Sequence, residues 1–79
     1  METIKRTKGT VKWFNDAKGF GFVEIEDHFE PIFLHYSAIR TDGFKTVSEG
    51  AIVEFDLVKG SKGYSAMDLI VLVHGSKED

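Results

Sequence analysis

Lys18-Gly19-Phe20-Gly21-Phe22-Val23 and, nine residues beyond it, Ile32-Phe33-Leu34-His35 decide the fold. Both runs alternate, and in an extended strand successive side chains point to opposite faces. Val23 and Ile25 then share one face, and Phe20, Phe22, Glu24 and Glu26 share the other. A face that carries glutamates is a wet face, so its phenylalanines are displayed to solvent where burial is the usual expectation. Ile32 and Leu34 repeat the inward pattern, with Phe33 and His35 outward. Adjacent strands with rings on the wet side make a binding platform.

Working outward, 79 residues suffice for one small domain, and the absence of cysteine excludes disulfides and cysteine zinc sites. The start lacks an apolar signal core, and the longest apolar stretch, Leu69 to Val73, is too short to span a bilayer. The expectation is a cytoplasmic protein with no membrane partner. The net charge is −3, unlike the basic balance of general nucleic-acid binders. Its distribution matters more. Residues 1–23 carry Lys5, Arg6, Lys8, Lys12 and Lys18 against Glu2 and Asp16, whereas the remainder holds five basic and eleven acidic residues. This predicts a local basic patch beside the rings on an acidic body, a distribution that disfavours indiscriminate duplex binding.

In chain order, residues 1–6 read as a frayed leader in which Lys5 and Arg6 can still add to the patch. Thr7 to Asn15 reads as the first strand, closed by the turn-like Asn15-Asp16-Ala17-Lys18-Gly19. Val11 and Trp13 share one parity, Lys12 and Phe14 the other, so alternation leaves open which ring is exposed; a bulge would resolve it. Phe20 to Ile25 is the second strand and Ile32 to His35 the third, with Pro31 at its start or at an edge. Tyr36 to Ile39 suits a single helical turn. Arg40 to Gly50 is a long polar loop around Phe44. Ala51 to Val58 places Val53, Phe55 and Leu57 inward, and Lys59-Gly60-Ser61-Lys62-Gly63 is a turn. Tyr64 to Val73 closes the set with Met67, Leu69, Val71 and Val73 on one face. Five strands without helical periodicity indicate an all-β, five-stranded antiparallel unit, best sealed as a barrel. The expected organisation is a single domain over 1–79, ordered from about residue 7 to 73 with short flexible ends.

The two ring-bearing runs resemble the ribonucleoprotein motifs of the cold-shock domain family. Lys18–Val23 is similar to the first motif and Ile32-Phe33-Leu34-His35-Tyr36 to the second. The likeness extends through Gly9-Thr10-Val11-Lys12-Trp13-Phe14-Asn15, Ser37-Ala38-Ile39 and Gly43-Phe44-Lys45-Thr46, over about residues 8–66. The RNA-recognition motif shares a Lys-Gly-Phe-Gly-Phe-Val strand, but it needs two helices and carries its other motif upstream. The resemblance implies an oligonucleotide-binding barrel that stacks single-stranded RNA or DNA on strands one to three. Carried over residue by residue, it implicates Lys12, Trp13, Phe14, Lys18, Phe20, Phe22, Phe33, His35, Tyr36 and Phe44, with Lys62 a weaker match in a basic loop. It places Trp13 on the wet face. It also implies an RNA chaperone or a transcription or translation regulator.

Departures from the family pattern concentrate late in the chain. Pro31 replaces an acidic residue, Tyr36 a phenylalanine and Tyr64 a proline, and Ala66-Met67-Asp68 followed by an apolar Leu69–Val73 ends the match. Tyr36 keeps a stacking ring. The changed last strand bears on register and packing, and it can pair with or exchange into another chain, although a monomer is expected. His35 beside Ser37 has no acidic partner at triad spacing, so no catalytic residue is assigned. No metal site and no cofactor motif is assigned either. The alternative function is a protein-interaction or assembly barrel whose nucleic-acid face is silent.

Overall fold

The computed structural model describes residues 2–26, 28–40 and 46–75, and of residues 28 and 29 the backbone alone. Its strands are β1 (Glu2–Asn15), β2 (Phe20–Ile25), β3 (His28–His35), β4 (Ile52–Gly60) and β5 (Gly63–Val73), with one 3-10 turn at Tyr36–Ala38. They close in the order β1-β2-β3-β5-β4. β1 serves both ends of the closure because it is long: Thr10 to Asn15 pair with β2, and Glu2 to Thr10 pair with β4. Every pairing is antiparallel except the short β3–β5 seam, where Ile32 lies opposite Tyr64 and Phe33 opposite Ser65 in parallel. The all-β, five-stranded barrel expected from alternation is the fold observed.

The core is filled by the inward parity of each strand. Val11, Val23, Ile32, Leu34, Val53, Phe55 and Leu69 are all but inaccessible to solvent. Each such side chain contributes about 1.5–3 kcal/mol relative to an exposed one. No polar or charged side chain is buried among the described residues, so the interior carries no ionic chemistry.

Three strands differ from their expected outlines. β1 begins at Glu2 instead of Thr7, because the leader pairs with β4 from Lys59 to Asp56. β3 begins at His28, and Pro31 lies inside it, within the register irregularity between the Val23–Ile32 and Ile25–His28 pairs. A proline is tolerated there because an irregular pairing does not need its missing N–H. In β5 the expected single face is broken. Leu69 is buried and Val71 packs against the core, but Met67 and Val73 are exposed and Ala66 takes the inward place.

The cause is a pair of bulges. β5 carries an extra residue between the Glu54–Ile70 and Asp56–Met67 pairs, and another between Val53–Val71 and Ile52–Val73. Each insertion reverses the parity of the residues beyond it. At the first, Asp68 takes the left-handed conformation (φ 52°), which Asp tolerates better than most residues. Arg6 Nη1 donates to its carbonyl at 2.8 Å, and Arg40 Nε and Nη2 donate to its two carboxylate oxygens at 2.8 and 2.6 Å. The Arg40 backbone N–H donates to the Leu69 carbonyl at 2.7 Å. The bulge is thus held by Arg6 of β1 and by Arg40 of the segment after the 3-10 turn.

Candidate nucleic-acid interface

The platform is assembled by register. Trp13 lies opposite Phe22 across β1–β2, Phe22 opposite Phe33 across β2–β3, and Phe20 opposite His35. The ladder shifts between Val11 and Trp13, leaving Lys12 as the extra residue. This bulge resolves the parity conflict at Val11, Trp13 and Phe14. Val11 is buried at 1% exposure and Trp13 stands out at 39%.

The rings form one connected array. Trp13 meets Phe20 edge-on at 5.9 Å and Phe22 at 5.4 Å between centroids. Phe33 stacks on Phe20 at 5.9 Å and meets Phe22 edge-on at 5.8 Å. His35 lies 6.4 Å from Phe33 and 4.5 Å from Tyr36. These separations are those of favourable aromatic pairs. Phe20 and Phe22 are half-buried because their neighbours cover their flanks, while Phe33 and Tyr36 are openly exposed. Each ring is therefore held by other rings and still presents surface to a base.

Two glycines of the deciding stretch let the array close. A Cβ on Gly21 would stand 2.2 Å from the Trp13 carbonyl oxygen and 2.7 Å from Phe14 Cα, so β1 and β2 could not approach. Gly19 has φ 78°, and a Cβ there would stand 2.6 Å from Tyr36 Cδ2. Its carbonyl accepts from the Tyr36 N–H at 2.9 Å. Tyr36 is seated on Gly19, as a ring can be only where no side chain intervenes.

His35 caps the 3-10 turn: the Ser37 N–H donates to its Nδ1 at 3.2 Å, and Ser37 Oγ lies 2.9 Å away. With Nδ1 accepting, the neutral ring carries its proton on Nε2, a donor suited to a base edge. In the turn ahead of Phe20, Asn15 Oδ1 accepts from the Lys18 N–H at 2.9 Å and the Asn15 carbonyl from the Gly19 N–H at 2.7 Å. Thr46 Oγ1 donates to Asp16 Oδ1, tying the chain after the long loop to this turn.

Not every expected residue joins the array. Phe14 is half-buried, packs against the core and makes no ring contact among the described residues. Phe44 lies outside the described residues. Among the cations, Lys12 lines the groove beside Trp13, Lys18 is exposed in the turn, and Lys62 lines a second groove beside Phe33. Arg6 does not extend the patch. It pairs with Glu54 at 3.0 Å, Asp56 at 3.3 Å and Asp68 at 3.6 Å on the β1–β4–β5 wall. The Glu54 hydrogen bond, ahead of the other contacts, holds its proton tighter than in a free guanidinium. Lys5 and Lys8 lie on the same β4-paired part of β1, opposite Leu57 and Glu54. Pro31 and Tyr64 are among the residues lining the grooves beside the rings that alternation missed.

No group of metal-ligating side chains is present among the described residues. No helix among them is long and apolar enough to cross a membrane.

Comparison with known proteins agrees with this geometry. Residues 7–72 match the model of the 'Cold-shock' DNA-binding domain. The chain is 52% identical to the cold shock-like protein CspE of Escherichia coli (strain K12) over 69 residues, 87% of this chain and all of that one. It is 49% identical to the cold shock protein CspA of Staphylococcus aureus (strain USA300) over 82% of this chain and 97% of that one. Among solved structures, a chain described as drosophila Unr CSD456 superposes with a TM-score of 0.73 at 22% identity, over 94% of this chain and 29% of that longer one; this bears on the fold alone. On the family match and the curated relatives together, the chain belongs to the cold-shock DNA-binding domain family.

Proposed function

We propose that the chain, acting as one domain, binds single-stranded RNA and DNA on its ring face and works as a nucleic-acid chaperone or a transcription or translation regulator. The observation that carries this is the connected array from Trp13 to Tyr36, held from beneath and open above. A ring face captures a base only when that base is unpaired, so binding draws hairpins toward open forms by mass action. Each stacked base contributes about 1–3 kcal/mol, so a few rings suffice with few phosphate contacts. Duplex binds weakly, because its bases are already stacked and the body of the protein is acidic. We assign no catalytic step, and we place the protein in the cytoplasm.

Trp13, the only tryptophan, supplies the test. Its fluorescence is quenched on titration with a short thymine-rich single strand at moderate salt and is unchanged with the same sequence as duplex. No response to either ligand from folded protein defeats the proposal. The assembly reading has one specific observation behind it, the exposed Leu72 and Val73 at the end of β5. It would then be favoured if sedimentation gave an oligomer that Val73→Glu dissociates.

A further inference from the structure

Residues 73–75 lie just past the part of the chain that the family model matches, 7–72, and they are packed. β5 ends at Val73, opposite Ile52 at the start of β4, and the chain runs on past that pair to bury Gly75. A Cβ on Gly75 would collide with the Glu49 carbonyl oxygen and stand 2.9 Å from Ser48 Cβ and 3.0 Å from the Ala51 nitrogen. Glycine alone allows so close an approach to another backbone. Gly75 is therefore seated on the turn at 48–51, which the Ala51 N–H closes by donating to the Ser48 carbonyl at 3.1 Å. That turn holds β1. The Val11 N–H donates to the Ala51 carbonyl at 2.9 Å, and the Gly50 N–H donates to the Val11 carbonyl at 2.8 Å. The next residue, Lys12, is the extra residue of the bulge that brings Trp13 to the surface. The same segment reaches the far end of β1, where Thr46 Oγ1 donates to Asp16 Oδ1. Residues 46–51 thus grip the strand on both sides of Trp13, and Gly75 is packed against the grip.

A bulge interrupts the ladder, so the aim of the side chain beside it depends on what fixes the backbone on either side. Short segments at the end of a strand dock and release at little cost in free energy. We infer that Gly75 is a positioning residue for the ring face: seated on the turn at 48–51, it holds Val11 and so sets Trp13 where a base stacks on it. Gly75 acts through Ala51 and Val11 and touches no nucleotide itself. By linkage the relation is reciprocal, and a bound strand holds Gly75 on its seat by the same factor. This rests on the ring-face reading above and adds to that site a residue from outside the matched part of the chain.

Anisotropy titration with a labelled oligothymidylate of about eight nucleotides tests it, at a temperature where each variant is folded. Gly75→Ala drives a Cβ into the Glu49 carbonyl and lifts the chain off the turn. A chain shortened to end at His74 frees the turn without a clash and keeps every matched residue. Both lower the affinity by about threefold or more, the scale of coupling through packed neighbours. Both also shift the Trp13 emission of the free protein. The shortened chain sheds Glu78 and Asp79 against Lys77, a change that by itself favours an anionic ligand, so its loss of affinity is not electrostatic. A merely structural Gly75 would lower the thermal midpoint and leave the affinity and the emission of folded protein alone. In the shortened chain, an affinity that falls by less than about threefold, or an unshifted Trp13 emission, overturns the assignment. Failure of the unaltered protein to bind defeats the ring-face reading instead, so the two failures are told apart.

Discussion

The barrel has two outer walls, and they treat their exposed groups in opposite ways. On β1–β2–β3 and the turn that follows, the rings of Trp13, Phe33 and Tyr36 stand exposed, with the rings of Phe20, Phe22 and His35 between them. On β1–β4–β5 Arg6 reaches Glu54, Asp56 and Asp68, and Arg40 takes both carboxylate oxygens of Asp68. One wall leaves its interaction potential open. The other satisfies it internally. A phosphate meeting the second wall finds its arginines occupied and carboxylates beside them, so on the proposed reading the internal pairing favours the ring face as well as holding the sheet. If the ring face is the binding site, as proposed, binding and stability are carried by separate walls of one sheet, and substitutions can separate them.

The largest effect is expected where both walls depend on one residue. Gly21→Ala drives a Cβ into backbone atoms of Trp13 and Phe14, so β1 and β2 must part. A loss of about 3 kcal/mol, at the upper end for single substitutions, lowers the thermal midpoint by more than about 10 °C and removes binding with it. A midpoint within about 3 °C of the parent would show that the strands are not held this closely. Next in size is Phe33→Ala on the ring wall. Single-strand affinity falls by about 1–3 kcal/mol, the worth of one stacked base, while the midpoint moves by less than about 4 °C. Phe20→Ala and Phe22→Ala lose binding in the same way with somewhat larger stability changes, because those rings are half-buried. Large destabilisation with affinity intact would reverse the assignment of the walls.

The ring wall was legible in the sequence because its signal is local. Phe20, Phe22, Phe33 and His35 follow a period of two beside glutamates, and that pattern survives into the structure unchanged. Trp13 and Phe14 were legible only as a conflict, which the extra residue at Lys12 resolves. The ionic wall was illegible, since its partners lie far apart: Arg6 meets the Asp68 carbonyl across 62 positions, and Arg40 meets the Asp68 side chain across 28. Alternation assumes an unbroken strand, and a bulge stabilised from distant segments leaves no local mark. Hence Met67 was expected on one face with Leu69 but faces solvent while Leu69 is buried, and the leader was expected to fray and is paired.

The ionic wall yields the converse of the ring substitutions. Arg6→Met keeps the aliphatic stem and removes the guanidinium, leaving Glu54, Asp56 and Asp68 to repel one another. The expected loss is about 1 kcal/mol, the upper end for exposed pairs, and oligonucleotide affinity stays within about twofold. Weaker single-strand binding in this variant, measured where it is folded, would mean that Arg6 belongs to the interface after all.

The smallest effect is also the most specific. The hydrogen bonds from Arg40, ahead of its charge and that of Arg6, hold the Asp68 carboxyl below the usual range. A carboxyl with a depressed folded-state pKa stabilises the native state at pH values above its unfolded value, near 4, and the contribution disappears as pH falls through the lower folded value. Asp68→Asn keeps a residue that tolerates φ 52°, removes the charge and turns one of the two oxygens that accept from Arg40 into an NH2 donor. The parent should therefore be the more stable at pH 7, and the difference should shrink as the pH falls below about 4. Added salt should reduce it too, because the pair is exposed. A difference constant across that range would mean that the carboxylate holds the bulge by shape and hydrogen bonding alone. Then the two walls would differ in what they touch, and charge would have no part in the contrast.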